Sequence, residues 1–121
     1  MTQRARTIAG WVLSILASLV FLPAAFSKLS GSAAAIERFA RFGLPIWFMY
    51  AVGVAEITGI ALLLFTKQRL AGAAILSAVG VGACFEHLTH AQLAMAPVPL
   101  VAAAFAVAGA LLRGSAVEVR R

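Results

Sequence analysis

"IWFMYAVGVAEITGIALLLF", Ile46 to Phe65, carries one charged side chain, Glu56, in a run long enough to cross a bilayer. A hydrocarbon core of about 30 Å takes roughly 20 apolar residues in helical form. Three other runs in the chain meet the same test: Ile8 to Phe26, Leu70 to about His87, and Ala91 to Leu112. The 121 residues are 63% hydrophobic with a mean hydropathy of +1.00, against about half apolar in a soluble domain. The reading is an all-α fold: one integral membrane domain over residues 1–121, built as a four-helix bundle. No strand alternation, low-complexity tract, linker or clear internal repeat appears. The first run follows Arg4 and Arg6 and is trailed by Ala24, Ala25 and Ser27, as a signal peptide would be; three further spans favour a retained helix. Pro23, Pro97 and Pro99 fall near the ends of the first and fourth runs, and both helices are expected to bend there.

Ten Lys and Arg against four acids give a net charge of +6. In a soluble protein that would raise the question of nucleic acid. Here the basic residues flank apolar runs, which suits cytoplasmic loops and membrane lipid contact and leaves no nucleic-acid partner. With four spans, Arg4, Arg6, Lys67, Arg69, Arg113, Arg120 and Arg121 share one side, and Lys28, Arg38 and Arg41 the other. The bias places both termini in the cytoplasm. The short "TKQR" turn makes the second and third spans an antiparallel hairpin. Between the first two spans, "SAAAIERFARFG" sets Ile36, Phe39, Ala40 and Phe42 near helical period with Glu37, Arg38 and Arg41 on the remaining face. It reads as a short interfacial helix over about residues 32–42. Cys84 is the only cysteine; it excludes an intrachain disulfide and a CxxC pair, and reads as an inert small hydrophobe.

The polar residues collect in the outer half. At 1.5 Å per residue Glu56 lies about 15 Å into its span, near mid-membrane, where a carboxyl must be protonated, paired or facing a wet cavity. Glu86 arrives roughly 24 Å above Leu70, with His87 and His90 beyond it, and Lys28 ends the first span at a similar level. Lys28 either snorkels to the interface or pairs with Glu86 or Glu56. Gly53 and Gly59 flank Glu56 on one face, and Gly82, Glu86 and His90 recur at spacing four; both faces are expected to turn into the bundle. Two histidines and an acid without a second motif do not assign a metal site, and a haem ligand is disfavoured. Trp11, Trp47 and Tyr50 sit near span ends as aromatic anchors, with Trp47 and Tyr50 also candidates for ligand contact.

The segments "FLPAAFSKLSG", "FARFGLPIWFMYAVGVAEITGIALLL" and "RLAGAAILSAVGVGACFEHLTH" together resemble the DoxX-like family of small four-helix membrane proteins. The points of likeness are Lys28, the Gly43-Leu44-Pro45 approach to the second span, Glu56 within it, and Thr89-His90 ending the third. The resemblance covers nearly the whole chain, the last span only as hydrophobic sequence. It implies the bacterial plasma (inner) membrane, and family members have been linked to respiratory or sulfur redox systems, including a thiosulfate to quinone oxidoreductase subunit and factors for methylamine oxidation. One cysteine rules out a dithiol relay like that of the vitamin K epoxide reductase proteins, so electron chemistry needs a bound cofactor, a quinone or a redox partner subunit.

The leading expectation is a redox-associated subunit or small oxidoreductase module with an outer-half pocket for a quinone-like or other lipophilic small molecule. Glu56 would exchange a proton with the ligand, Lys28 would fix a carboxylate or ligand oxygen, and Glu86 and His90 would carry protons outward. His87, Trp47 and Tyr50 would contact the ligand. A proton-coupled transporter, a non-catalytic assembly partner and a cofactor-free acid–base enzyme acting on a lipophilic molecule are the alternatives. Small multidrug transporters have similar length but carry their acid in the first helix, where this chain has none. Gly-rich faces also leave room for a homo-oligomer.

Overall fold

Three chain reversals at one end of the molecule, the end expected to face outward, are built to one plan. The computed structural model describes the backbone of residues 1–119 and the side chains of residues 1–113. Its helices are α1 (Gln3–Leu29), α2 (Ala33–Arg41), α3 (Ile46–Leu64), α4 (Arg69–Thr89) and α5 (Pro97–Val119), with a 3-10 turn at Thr66–Gln68. Each of α1, α2 and α4 ends in a residue of left-handed backbone that returns two amide N–H groups to the last turn. After α1, Gly31 (φ 66°) donates to Lys28 O at 3.2 Å and Ser32 to Ser27 O at 3.2 Å. After α2, Gly43 (φ 74°) donates to Ala40 O at 3.1 Å and Leu44 to Phe39 O at 2.9 Å. After α4 the same role falls to a non-glycine: Ala91 (φ 59°) donates to Leu88 O at 3.3 Å and Gln92 to His87 O at 2.8 Å.

This plan also decides which side chains meet, since it brings the third residue past the helix against the third from its end. Ser32 Oγ lies 2.7 Å from Ser27 Oγ, Leu44 packs on the Ala35, Phe39 and Met49 cluster, and Gln92 Oε1 lies 2.7 Å from His87 Nδ1. Ser32 then caps the next helix, accepting from Ala35 N at 3.2 Å. Thr2 does the same for α1, accepting from Ala5 N at 3.1 Å.

Among the described residues the chain is helical with no strand. α1, α3 and the segment from Thr66 through α4 are long and apolar enough to cross a membrane, and Pro97–Arg113 is a shorter apolar helix. The four long helices form a ring in which α1 and α4 each pack on both α3 and α5. At their centre lie Ala17, Phe21, Ile60, Leu63, Leu76 and Ala106. The outward faces are apolar as well: Leu19, Val54, Val81 and Leu111 are all more than half exposed, the pattern of helices solvated by lipid.

Close packing at the inner end of the hairpin depends on Gly72, whose absent Cβ would overlap the backbone of Leu63 and lie 2.6 Å from Gly59 O. Small residues are what allow such approach where no water drives helices together.

Three sequence expectations change. The last helix begins at Pro97, not Ala91, because residues 91–96 are used in the reversal after α4. Pro97 and Pro99 therefore occupy its first turn, where the missing N–H costs no helical bond, and they start the helix instead of bending it. The buried face of α2 is Ala35 and Phe39, with Ile36 37% exposed, because the Leu44 reversal draws that face onto Met49. Arg120 and Arg121, two of the basic residues in the charge pattern, lie outside the described residues.

Candidate functional site

Gly53, one turn before Glu56 on α3, admits the end of α1: a Cβ there would stand 2.9 Å from Leu29 Cγ and 3.2 Å from Lys28 Cβ. That approach brings Lys28 Nζ to 2.8 Å from Glu56 Oε1. Lys28 is 9% exposed and Glu56 1%. Lys28 Nζ also donates to Ala24 O at 3.4 Å. The ammonium approaches Oε1 at ion-pair distance but off the line of a directed hydrogen bond, so this oxygen has charge compensation without a donor aimed at it. A lone charge here would cost several kcal/mol, and pairing offsets part of that cost.

The pair forms part of the wall of a cavity of about 560 Å³. Its lining is largely apolar, with Phe21 and Ala24 from α1, Phe48 and Val52 from α3, and Gly82 and Phe85 from α4 among the residues facing it. Val98 and Pro99 of α5 complete it from the side. The polar lining consists of Lys28, Arg38, Glu56, Glu86 and His87.

The candidates therefore divide. Lys28, Glu56, Glu86 and His87 all line the cavity. His87 is held at Nδ1 by Gln92 and by the edge of Phe42, ring centroids 5.9 Å apart. His90 lies at the rim, half exposed, its Nδ1 2.9 Å from Glu86 O and 3.7 Å from Glu86 Oε2, with its ring 4.7 Å from Phe42. Glu86, His87 and His90 do not gather as a three-ligand metal group among the described residues. Trp47 and Tyr50 stand outside the cavity lining. Trp47 is 69% exposed against the edge of Phe48, and the Tyr50 hydroxyl lies 2.7 Å from where a Cβ on Gly31 would be, so Tyr50 packs on the outer reversal.

The face of α4 at Gly82, Glu86 and His90 turns toward the cavity and its rim, not into helix packing; Gly72, Ala73, Leu76 and Gly80 are the residues of α4 that are buried.

Two positions escaped sequence reasoning. Arg38, read as part of the polar face of α2, lines the cavity and has no ion-pair partner among the described residues. Its signal was positional: Arg38 precedes the buried Phe39 by one and Phe42, the residue that caps α2, by four. Arg113, read as a cytoplasmic flank, is 1% exposed. It donates to Leu63 O at 2.6 Å and Ser14 Oγ at 3.1 Å and lies 3.7 Å from the ring centre of Trp11, an aromatic read as an interface anchor. With Arg69, which donates to Thr66 O at 2.8 Å and Ala110 O at 2.9 Å, it ties the inner ends of all four long helices together. The slot for Arg113 was legible as Gly10 and Ser14, four apart on α1, opposite Gly109, four before Arg113 on α5.

Comparison with known families settles the relationship. The sequence profile of the DoxX-like family matches residues 12–109. The chain belongs to the DoxX-like family. The match covers α3 and α4 whole, α1 from residue 12 and α5 to residue 109, and includes both members of the Lys28 and Glu56 pair. No curated protein and no solved structure gives a significant match, so the family relationship carries the comparison.

Proposed function

We propose that this DoxX-like protein is a four-span inner-membrane module that binds a quinone-like lipophilic molecule in its outer half and exchanges a proton with it. The observation carrying this reading is the buried Lys28 and Glu56 pair in the wall of a mostly apolar cavity of about 560 Å³. That volume falls within the roughly 300–1,000 Å³ of small-molecule sites, which are apolar with a few placed polar groups. The residues suit a quinone ring: an ammonium to donate to a ring oxygen, a carboxyl beside it to hold or supply the proton, and buried aromatic walls in Phe21 and Phe39. A bound quinone would supply the electron-accepting chemistry, and electrons would come from a redox partner subunit. On this reading α2 lies at the outer membrane surface and both termini face the cytoplasm.

Under this proposal Glu86, in the cavity lining, and His90, whose Nδ1 lies 3.7 Å from Glu86 Oε2, carry protons outward. In this reading Lys28 and Glu56 contact the ligand, while His87, fixed by Gln92, positions the upper wall.

The test is to purify the protein from its membrane, extract it with organic solvent and record a reduced-minus-oxidised spectrum, then titrate it with decyl-benzoquinone in nanodiscs. Near one quinone per chain, or saturable one-to-one binding that Glu56→Gln removes while circular dichroism stays unchanged, is the expected result. A blank spectrum together with no saturable binding would contradict the reading.

A further inference from the structure

Exposed residues of both α3 and α4 line the cavity. In the inner half these helices are in tight contact, with Gly72 against Leu63 and Gly59 against Leu76. Further out the small residues of each helix serve other partners: Gly53 of α3 receives Leu29 of α1, and Gly80 of α4 receives Pro99 and Ala103 of α5. Gly82, exposed and in the cavity lining, has open space beside it: a Cβ added there would meet no atom within 4 Å.

The residues bordering the seam line the cavity and face outward at once. Phe48 is 38% exposed and Phe85 62%, and Ala78 and Gly82, one turn apart on α4, are likewise exposed and in the lining. All of them are apolar. An opening lined in this way, between helices whose outer faces are lipid-compatible, admits hydrocarbon and offers water no hydrogen-bonding partner. The charged lining groups Lys28 and Glu56 lie deeper, and Arg38, Glu86 and His87 complete the polar lining.

Resting on the proposed quinone-like ligand, we infer that the gap between Phe48, Gly82 and Phe85 is a lateral portal, through which the ligand enters from the hydrocarbon layer and its apolar tail remains threaded. The substrate class is thereby narrowed to membrane-dissolved amphiphiles: an oxygen-bearing head for the Lys28 and Glu56 end and a linear apolar tail that leaves between α3 and α4. Water-borne small molecules are the wrong class. Gly82 sets tail acceptance without touching the head.

Two probes and two variants test this in nanodiscs. The probes are decyl-benzoquinone and the same ring without its tail. Gly82→Leu fills empty space and does not lower thermal stability, yet weakens the tailed probe by about tenfold, the loss of roughly two buried methylenes, while the tailless probe binds as before. Phe85→Ala, which widens the opening, speeds exchange of the tailed probe alone. Should wild type bind neither probe, the ligand reading itself fails and the portal with it. Should wild type bind both while Gly82→Leu and Phe85→Ala leave the tailed probe unaffected, or change both probes equally, the portal is overturned and the ligand reading stands.

Discussion

Lys28 and Glu56 hold each other where neither could remain charged alone, and their coupling belongs to the residue scale. Removing one partner of a buried pair leaves the other uncompensated, at a cost of about 3–5 kcal/mol, whereas replacing both with apolar groups can be neutral or better. Lys28→Met and Glu56→Leu are each expected to lower stability strongly, and the double variant to be more stable than either single one. Reversible unfolding in mixed micelles measures this cycle; additive single losses would show that the 2.8 Å contact contributes little. The same scale shows what sequence could settle. That Glu56 had to be protonated, paired or facing a wet cavity followed from one acid in an apolar run, but its pairing with Lys28 depended on Gly53 admitting α1 closely. Arg113 shows the converse: a basic residue at the end of an apolar run looks like a flank until Gly10, Ser14 and Gly109 are seen to make room for it.

At the scale of elements, helix ends carry the organisation. Gly31 and Gly43 supply left-handed backbone at little cost, but Ala91 adopts φ 59° with a Cβ, a strain of about 1–2 kcal/mol for an L-residue. Ala91→Gly is expected to raise stability by about 1 kcal/mol and leave His87 on Gln92; a lower melting temperature would contradict the account of that reversal. The glycines of α4 make a second contrast. Gly72→Ala forces a methyl against the Leu63 backbone and should cost at least about 1–3 kcal/mol, while Gly82→Ala, inside α4 with open space beside it, should cost nothing and gain up to about 1 kcal/mol of helix propensity, as thermal unfolding of the two variants would report. Helix identities and the hairpin were legible because length and hydropathy decide them. The start of α5 was not, because Ala91 to Ala96 are as apolar as a span and only the reversal reveals their use. The inward face of α2 was likewise set by Leu44 and Met49, outside the helix itself.

For the whole molecule, a ring of four helices tied at its inner end by Arg69 and Arg113 and opened in its outer half makes the two ends of the bundle chemically different. On the proposed orientation, the basic bias puts the cavity end outward and the Arg69 and Arg113 end toward the cytoplasm. Cytoplasmic reporters fused at either terminus should therefore be active, and a cysteine placed at Lys67, in a Cys84→Ser background, should label only from the cytoplasmic side; labelling from outside would invert the topology and put the cavity on the wrong face. The central claim is that a ligand oxygen meets Lys28 and Glu56 inside the cavity. Infrared difference spectroscopy on isotope-labelled decyl-benzoquinone in nanodiscs tests it most directly. One carbonyl stretch should shift to lower frequency on binding and return to its lipid value in the Lys28→Met/Glu56→Leu variant; a carbonyl band identical with and without the protein would contradict it.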